Sequence, residues 1–371
     1  MIIKRLTAEN FRNIESCDIE FGRGVNLLHG KNAQGKTNAV EAIYLFSRGR
    51  SFRAREDKDL VRFGTEGFRL RIEYEDKDGD GSLEYALFGR ERRRRKNGYK
   101  VSKVTEMLGS FKAVLFYPDD LGLVKDGPEE RRGFMNVAAA QCFPAYMKHY
   151  SDYKLALENR NAILKLAAKG IYFDEREFIS WSESMAEYAS YIYMARAEYV
   201  KRLEVHAKGV LADISSGEEE LSLSYKSDIA DGTKLTDRLA VRDEYVRIFT
   251  ENSEKERLAG VSLYGVHRDD LEIFINGKSA RLFASQGQQR SIVLALKLAE
   301  GEVTREMCGE YPVFLFDDVL SELDETRRKY VLDGVGERQI IITSCEPDEC
   351  YGYTECEINV EKGSFQKKGT A

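Results

Sequence analysis

The chain has 371 residues, 42% hydrophobic and 32% charged, with 5 prolines and a net charge of −6. That profile excludes fibrous and disordered classes and predicts two domains, or one large α/β unit with an insertion. No apolar run approaches the ~20 residues that cross a bilayer, and an acidic chain can bind nucleic acid only through local basic patches.

The leading MIIKRLTAENFRN lacks the apolar core of a signal peptide, so a cytoplasmic location is expected. IIKRLTAEN, DIEF and VNLLH read as short strands broken by polar or glycine turns. GKNAQGKT follows, and then the helical run NAVEAIYLF. Residues 68–105 read as antiparallel strands, with a turn at 78–81 and a hairpin at Asn97-Gly98. KAVLFYPDDL reads as a buried strand running into a loop. From 129 to about 215 the apolar spacing of 3 and 4 predicts helices, broken at Pro144. Strands return at 221–225 and 261–283. FASQGQQRSIVLALKLAE then opens a helix, followed by YPVFLFDD, a helix from about Glu325, and RQIIITS. The layout predicts an α/β core built from both ends of the chain around a helical insertion. The six cysteines form no C-x-x-C pair and read as ordinary reduced thiols.

Gly30, Lys31, Asn32, Ala33, Gln34, Gly35, Lys36 and Thr37 fit G-x-x-x-x-G-K-[ST], with an apolar strand before and a helix after. The loop N–H groups can nest phosphate oxygens, Lys36 can reach the β- and γ-phosphates, and the Thr37 hydroxyl can ligate Mg²⁺. ATP and Mg²⁺ are the ligands this motif implies. Val313-Phe314-Leu315-Phe316 then ends in Asp317-Asp318, as a parallel strand buried on both faces does at its ligand-bearing end. Asp317 suits the metal side, and Asp318 suits orienting or deprotonating a water. A paired Asp after a strand also fits a turn or a cap. Small polar residues at the start of the helix after Phe283 make an anion site. They fit equally a helix whose Ser285 or Gln286 caps its own N–H groups.

The order of phosphate loop, S-Q-G-Q-Q helix start, acidic strand and S-x-L-D (Ser321 to Asp324) resembles the ABC-type ATPases. The blocks NFRNIESCDIEF, GVNLLHGKNAQGKTNAVEAIYLFSRGRSFR, FYPDDLGLVKDGPEERRGFM, YGVHRDDLEIFINGK and LFDDVLSELD further resemble the RecF family of bacterial recombination mediators along essentially the whole length. The resemblance implies an SMC-like head without a long coiled coil. Lobe I, a mixed sheet, would comprise 1–112 and 309–371, and a helical lobe II at 113–308 would carry the signature. It implies an ATP-dependent DNA-binding protein of recombinational repair. Such a protein would dimerise on ATP and act at DNA gaps with the partners RecR and RecO to load the recombinase. Ser285, Gly287 and Gln288 would then meet ATP held by a second copy, and Arg12 would reach the nucleotide. Asp318 stands where the ATPases carry Glu. No His follows RQIIITS, and 117–120 lacks the lobe-junction Gln. Slow hydrolysis, with ATP as a dimerisation switch, is therefore expected.

For DNA, Arg92, Arg93, Arg94 and Arg95 beside the Asn97-Gly98 turn suit phosphate contacts, though charge on an edge strand also guards against aggregation. Arg131 and Arg132 at a helix start are further candidates. Neither patch shows interleaved aromatics, which favours backbone contact with duplex. The HRDD at 267–270 resembles a kinase catalytic loop without the rest of that set and is expected to be structural. A transporter ATPase subunit, or a purely structural SMC-like head, would share the nucleotide motifs.

Overall fold

The computed structural model describes residues 1–229, 237–334, 336–346, 350 and 352–368. They group into two compact units. One comprises 1–121, 206–219 and the chain from 285 on; the other comprises 122–205 and 220–284.

The first unit holds two six-stranded sheets. One is antiparallel: Ile14–Glu20, Ile2–Phe11, Gly67–Asp76, Gly79–Phe88, Glu91–Lys96 and Tyr99–Lys100 lie side by side in that order. Its strands alternate: Phe68, Leu70, Ile72 and Tyr74 are buried, while the residues between them reach solvent, as expected of a sheet wet on one face. The 97–98 hairpin forms as its sequence predicts, with both Asn97 and Gly98 at positive φ (52° and 81°).

The other sheet places Ser364–Lys367, Thr354–Glu361, Val25–His29, Ile340–Ser344, Val313–Asp317 and Ala113–Phe116 side by side. All but the first strand run parallel. The strands Val25–His29, Ile340–Ser344 and Val313–Asp317 are buried at every position, which is why each reads as an unbroken apolar run. Their register pairs Asp317 with Thr343 and Ser344 with His29. The phosphate loop and the acidic doublet thus leave the sheet at the same carboxyl edge.

Helices Lys36–Arg48 and Gln286–Cys308 belong to this unit. The second was expected in lobe II at 113–308, yet it groups with the first unit, as do 113–121 and 206–219. Gly301 supplies the reason: a Cβ there would fall 2.1 Å from Cζ of Phe314, so glycine seats the helix directly on strand Val313–Asp317.

The second unit holds helices Gly122–Lys125, Pro128–Cys142, Tyr146–Ala168, Arg238–Glu251 and Ser253–Ala259, and most of the 40-residue helix Glu175–Ile214. The break predicted at Pro144 falls between two of them. A three-stranded sheet of Leu221–Lys226, Asp270–Ile275 and Lys278–Ser279 completes it. Tyr146, Tyr153, Tyr245, Phe249 and Ile192 are buried together in its core. Tyr188, Tyr191 and Tyr193 pack partly buried against that cluster. No helix among the described residues is long and apolar enough to cross a membrane.

Candidate nucleotide-binding site

The loop Gly30–Thr37 is shaped by positive φ at Gly30 (152°), Ala33 (63°) and Gly35 (120°). A Cβ on Gly30 would sit 2.3 Å from the Val360 carbonyl oxygen, so only glycine fits that turn. Asn13 braces the loop from the first hairpin: its Nδ2 lies 3.5 Å from the Ala33 carbonyl, and its Oδ1 accepts from Asn38 Nδ2 at 2.7 Å. Gln34 ties the other side, its carbonyl accepting the Gly363 N–H at 2.8 Å.

Lys36 is only 3% exposed. Its Nζ donates to the carbonyls of Gly30 (2.7 Å) and Lys31 (3.2 Å), inside the curve of the loop, and lies 3.4 Å from Cys345 Sγ. Thr37 Oγ1 donates to Asp317 Oδ1 at 2.9 Å. Thr343 Oγ1 donates to the same oxygen at 2.8 Å, accepts the Asp318 N–H at 2.9 Å, and lies 3.4 Å from Asp318 Oδ1. Asp318 itself has φ 53°, which turns it out of the strand line. Asp317 is 4% exposed, and burial pushes its carboxyl up against the pull of the Thr343 and Thr37 hydroxyls. No lysine or arginine among the described residues forms an ion pair with either Asp. A buried carboxylate met by hydroxyls alone suits a hard divalent cation with oxygen ligands, so Thr37 and Asp317 fit Mg²⁺.

The helix start at Ser285 forms a reciprocal cap. Ser285 Oγ accepts from the Gln288 N–H at 3.3 Å, and Gln288 Oε1 accepts from the Ser285 N–H at 2.9 Å. Ser285, Gln286 and Gly287 are nevertheless exposed. A Cβ on Gly287 would meet nothing within 4 Å, so this chain's own packing does not require that glycine. The S-x-L-D segment and the helix Glu325–Asp333 after it are clasped to the same helix: Arg290 pairs with Glu322 at 3.5 Å, and Arg327 donates to Ser291 Oγ at 2.7 Å.

Residues 2–356 match the model of the RecF/RecN/SMC N terminal domain. The chain is 38% identical to the DNA replication and repair protein RecF of Clostridioides difficile, covering 98% of this chain and 97% of that protein. The chain belongs to the RecF family. RecF of Halalkalibacterium halodurans is 35% identical over the whole of both chains. A solved structure of the recombination mediator RecF with ATP superposes with a TM-score of 0.91 at 33% identity, covering 99% of this chain and 98% of that one. The SMC head of Pyrococcus furiosus, 17% identical with a TM-score of 0.56, shares the fold. The fold is the ABC-type ATPase head, as the resemblance implies, with no long coiled coil among the described residues. RecF-family membership makes this a DNA replication and repair protein.

Several predicted roles meet a different geometry. Arg12 was expected at the nucleotide. Its guanidinium instead forms two bonds to Glu41 (2.8 and 2.9 Å) and one to the Asp59 carbonyl. Glu41 is fully buried in the helix after the phosphate loop and needs a cation there. The residue that sequence reasoning passed over is Arg53, at the end of the block that carries the phosphate loop. Its Nη1 lies 3.0 Å from Asn38 Oδ1 and 3.7 Å from Glu41, and its charge lowers the Asp317 carboxyl. Asp120, in the segment lacking the lobe-junction Gln, is buried and paired with Lys297 at 3.0 Å. Where the switch His is missing, the strand Ile340–Ser344 ends in Thr343 and Ser344.

The arginines proposed for DNA divide. Arg131 is 5% exposed, holds Asp270 with two bonds (2.7 and 2.9 Å) and caps the Asp126 carbonyl at 2.8 Å. Arg132 donates to the Asp269 carbonyl at 2.9 Å. Both sit at a helix start because these acceptors outweigh the unfavourable dipole. Arg92 pairs with Asp57 (2.6 Å) and Arg93 with Glu91 (2.9 Å), while Arg94 stacks over Tyr85 at 5.1 Å. Of these four, Arg95 alone has neither ion pair nor ring partner among the described residues.

Proposed function

We propose that this chain is an ATP-dependent DNA-binding protein of recombinational repair and replication restart, in which ATP joins two copies at DNA gaps or junctions. The loop N–H groups and Lys36 hold the triphosphate, and Thr37 with Asp317 holds Mg²⁺, which when bound neutralises phosphate charge. Asp318 orients the attacking water, and its short reach fits slow, DNA-stimulated hydrolysis. Ser285, Gly287 and Gln288 of each copy close over the nucleotide of the other. RecR, with RecO, is the partner that RecF-family membership suggests, and helping to load the recombinase is the outcome.

The observation that carries this reading is the exposed helix start. The Gln286 and Gly287 N–H groups have no partner within their own helix by geometry, and Gly287 opens onto empty space. This is an anion site built for something outside the chain. Light scattering of the pure protein should show the monomer mass without nucleotide and twice that mass with saturating ATP and Mg²⁺. Ser285→Arg should stay monomeric while still binding ATP, and Lys36→Ala should lose both. An unchanged mass in wild type that demonstrably holds ATP overturns the proposal.

A further inference from the structure

The surplus positive charge of the 90–103 segment lies on the free edge of the antiparallel sheet rather than along Arg92 to Arg94. Tyr99–Lys100 is the outermost strand, with Lys100 opposite Arg95 and Tyr99 opposite Lys96. Every acid nearby is already engaged. Asp57 holds Arg92 and Tyr85, Glu91 holds Arg93, Glu84 holds Arg69, and Glu106 accepts the N–H groups of Ser102 and Lys103. Arg90, Arg95, Lys96, Lys100 and Lys103 have no ion pair among the described residues.

Tyr99 stands among these cations 79% exposed, its side chain without a ring or hydrogen-bond partner among the described residues. Its place is fixed: Asn97 Oδ1 accepts the Ser82 N–H, and Asn97 N–H donates to the Ser82 carbonyl, both at 2.8 Å. Edge protection explains lysines on a border strand. It does not explain a bare aromatic ring there, which works against such protection. Phe88, the other exposed ring of this region, lies beneath Arg93.

We propose that this edge holds single-stranded DNA, phosphates lying on Arg95, Lys96 and Lys100 and one unpaired base stacking on Tyr99. The inference rests on the proposed DNA-binding function and names its contact site and substrate class. A paired base offers no open face, and unstacking one costs a few kcal/mol, so the ring favours nucleotides already unpaired, as at a gap.

The test is fluorescence anisotropy of the full chain with ATP on a single-stranded oligonucleotide, a gapped duplex and an intact duplex, across a salt series. Tyr99→Ala should weaken single-stranded and gapped binding about five- to a hundredfold, with intact duplex bound within twofold and the salt slope unchanged. Tyr99→Phe should bind like wild type. Lys100→Glu should lower the salt slope on all three DNAs. Tyr99→Ala binding gapped DNA like wild type, or losing gapped and intact duplex alike, overturns the inference while leaving the DNA-binding function standing. Wild type that binds none of the three overturns both.

Discussion

The Asp269-Asp270 doublet of the second unit and the Asp317-Asp318 doublet of the first are neutralised by different means. In the second unit, Asp269 is buried against Arg196 (2.8 Å) and bonded by the Tyr225 hydroxyl, and Asp270 holds Arg131 through two bonds. Burial pushes the Asp269 carboxyl up to about 6 despite Arg196. In the first unit, the Asp317 and Asp318 carboxylates meet only the hydroxyls of Thr37 and Thr343 among the described residues. The same dipeptide is thus a closed structural joint in one place and an open carboxylate pair in the other. Only the second arrangement asks for a cation from outside.

Removing the internal cation gives the sharpest break of that contrast. Arg196 also donates to the Val266 carbonyl and to Asn136. Arg196→Met leaves Asp269 buried and unpaired, and a loss of about 3–5 kcal/mol is expected in the second unit. Trp181, the chain's single tryptophan, lies in that unit, so its fluorescence in urea reads the effect directly. An unmoved midpoint would mean that Asp269 is not held as an ion pair.

Another buried acid sharpens the contrast. Glu300 is 2% exposed beside the Lys297–Asp120 pair, and its Oε2 has no hydrogen-bond partner among the described residues. Burial raises its carboxyl to about 7 from an ordinary 4.5, against the pull of Lys297. A raised acid binds its proton more tightly when folded. Its contribution is therefore fully present below about 4.5 and lost as pH rises through about 7. Glu300→Gln should match wild type at pH 5 and be more stable at pH 8, by up to about 3 kcal/mol. The urea transition seen by circular dichroism but not by Trp181 measures it. A variant less stable at pH 8 would show that charged Glu300 belongs with Lys297.

Local rules made the phosphate loop, the helix start at Ser285 and the acidic strand legible in the sequence. Each is a contiguous pattern whose backbone demands fall on its own residues. What escaped depends on distant partners. Arg131 looks free until Asp270, 139 positions on, arrives across the second unit. Arg12 looks available until Glu41 proves to be buried. The boundary of the signature segment was misjudged because its seat on Phe314 depends on a glycine thirteen positions earlier, whose role only the packed helix shows. Tyr99 escaped because exposure on an edge strand leaves no mark in an alternating pattern.

Thr343 is the smallest lever and bears most directly on what keeps the first doublet open. Parallel register places it opposite Asp317, where its hydroxyl donates to the Asp317 carboxylate and accepts the Asp318 N–H. Thr343→Val keeps the shape and removes that oxygen. Asp317 retains Thr37, but the Asp318 N–H loses its acceptor, and the left-handed turn at Asp318 loses its anchor. The expected cost is about 1–2 kcal/mol in stability and about tenfold in ATP turnover, with ATP affinity and ATP-driven dimerisation retained and a higher Mg²⁺ midpoint for hydrolysis. Thr343→Ser restores the hydroxyl and should recover both turnover and midpoint. If valine costs stability yet turnover and midpoint stay put, Thr343 is only a strand residue, and the carboxylates keep their geometry without it.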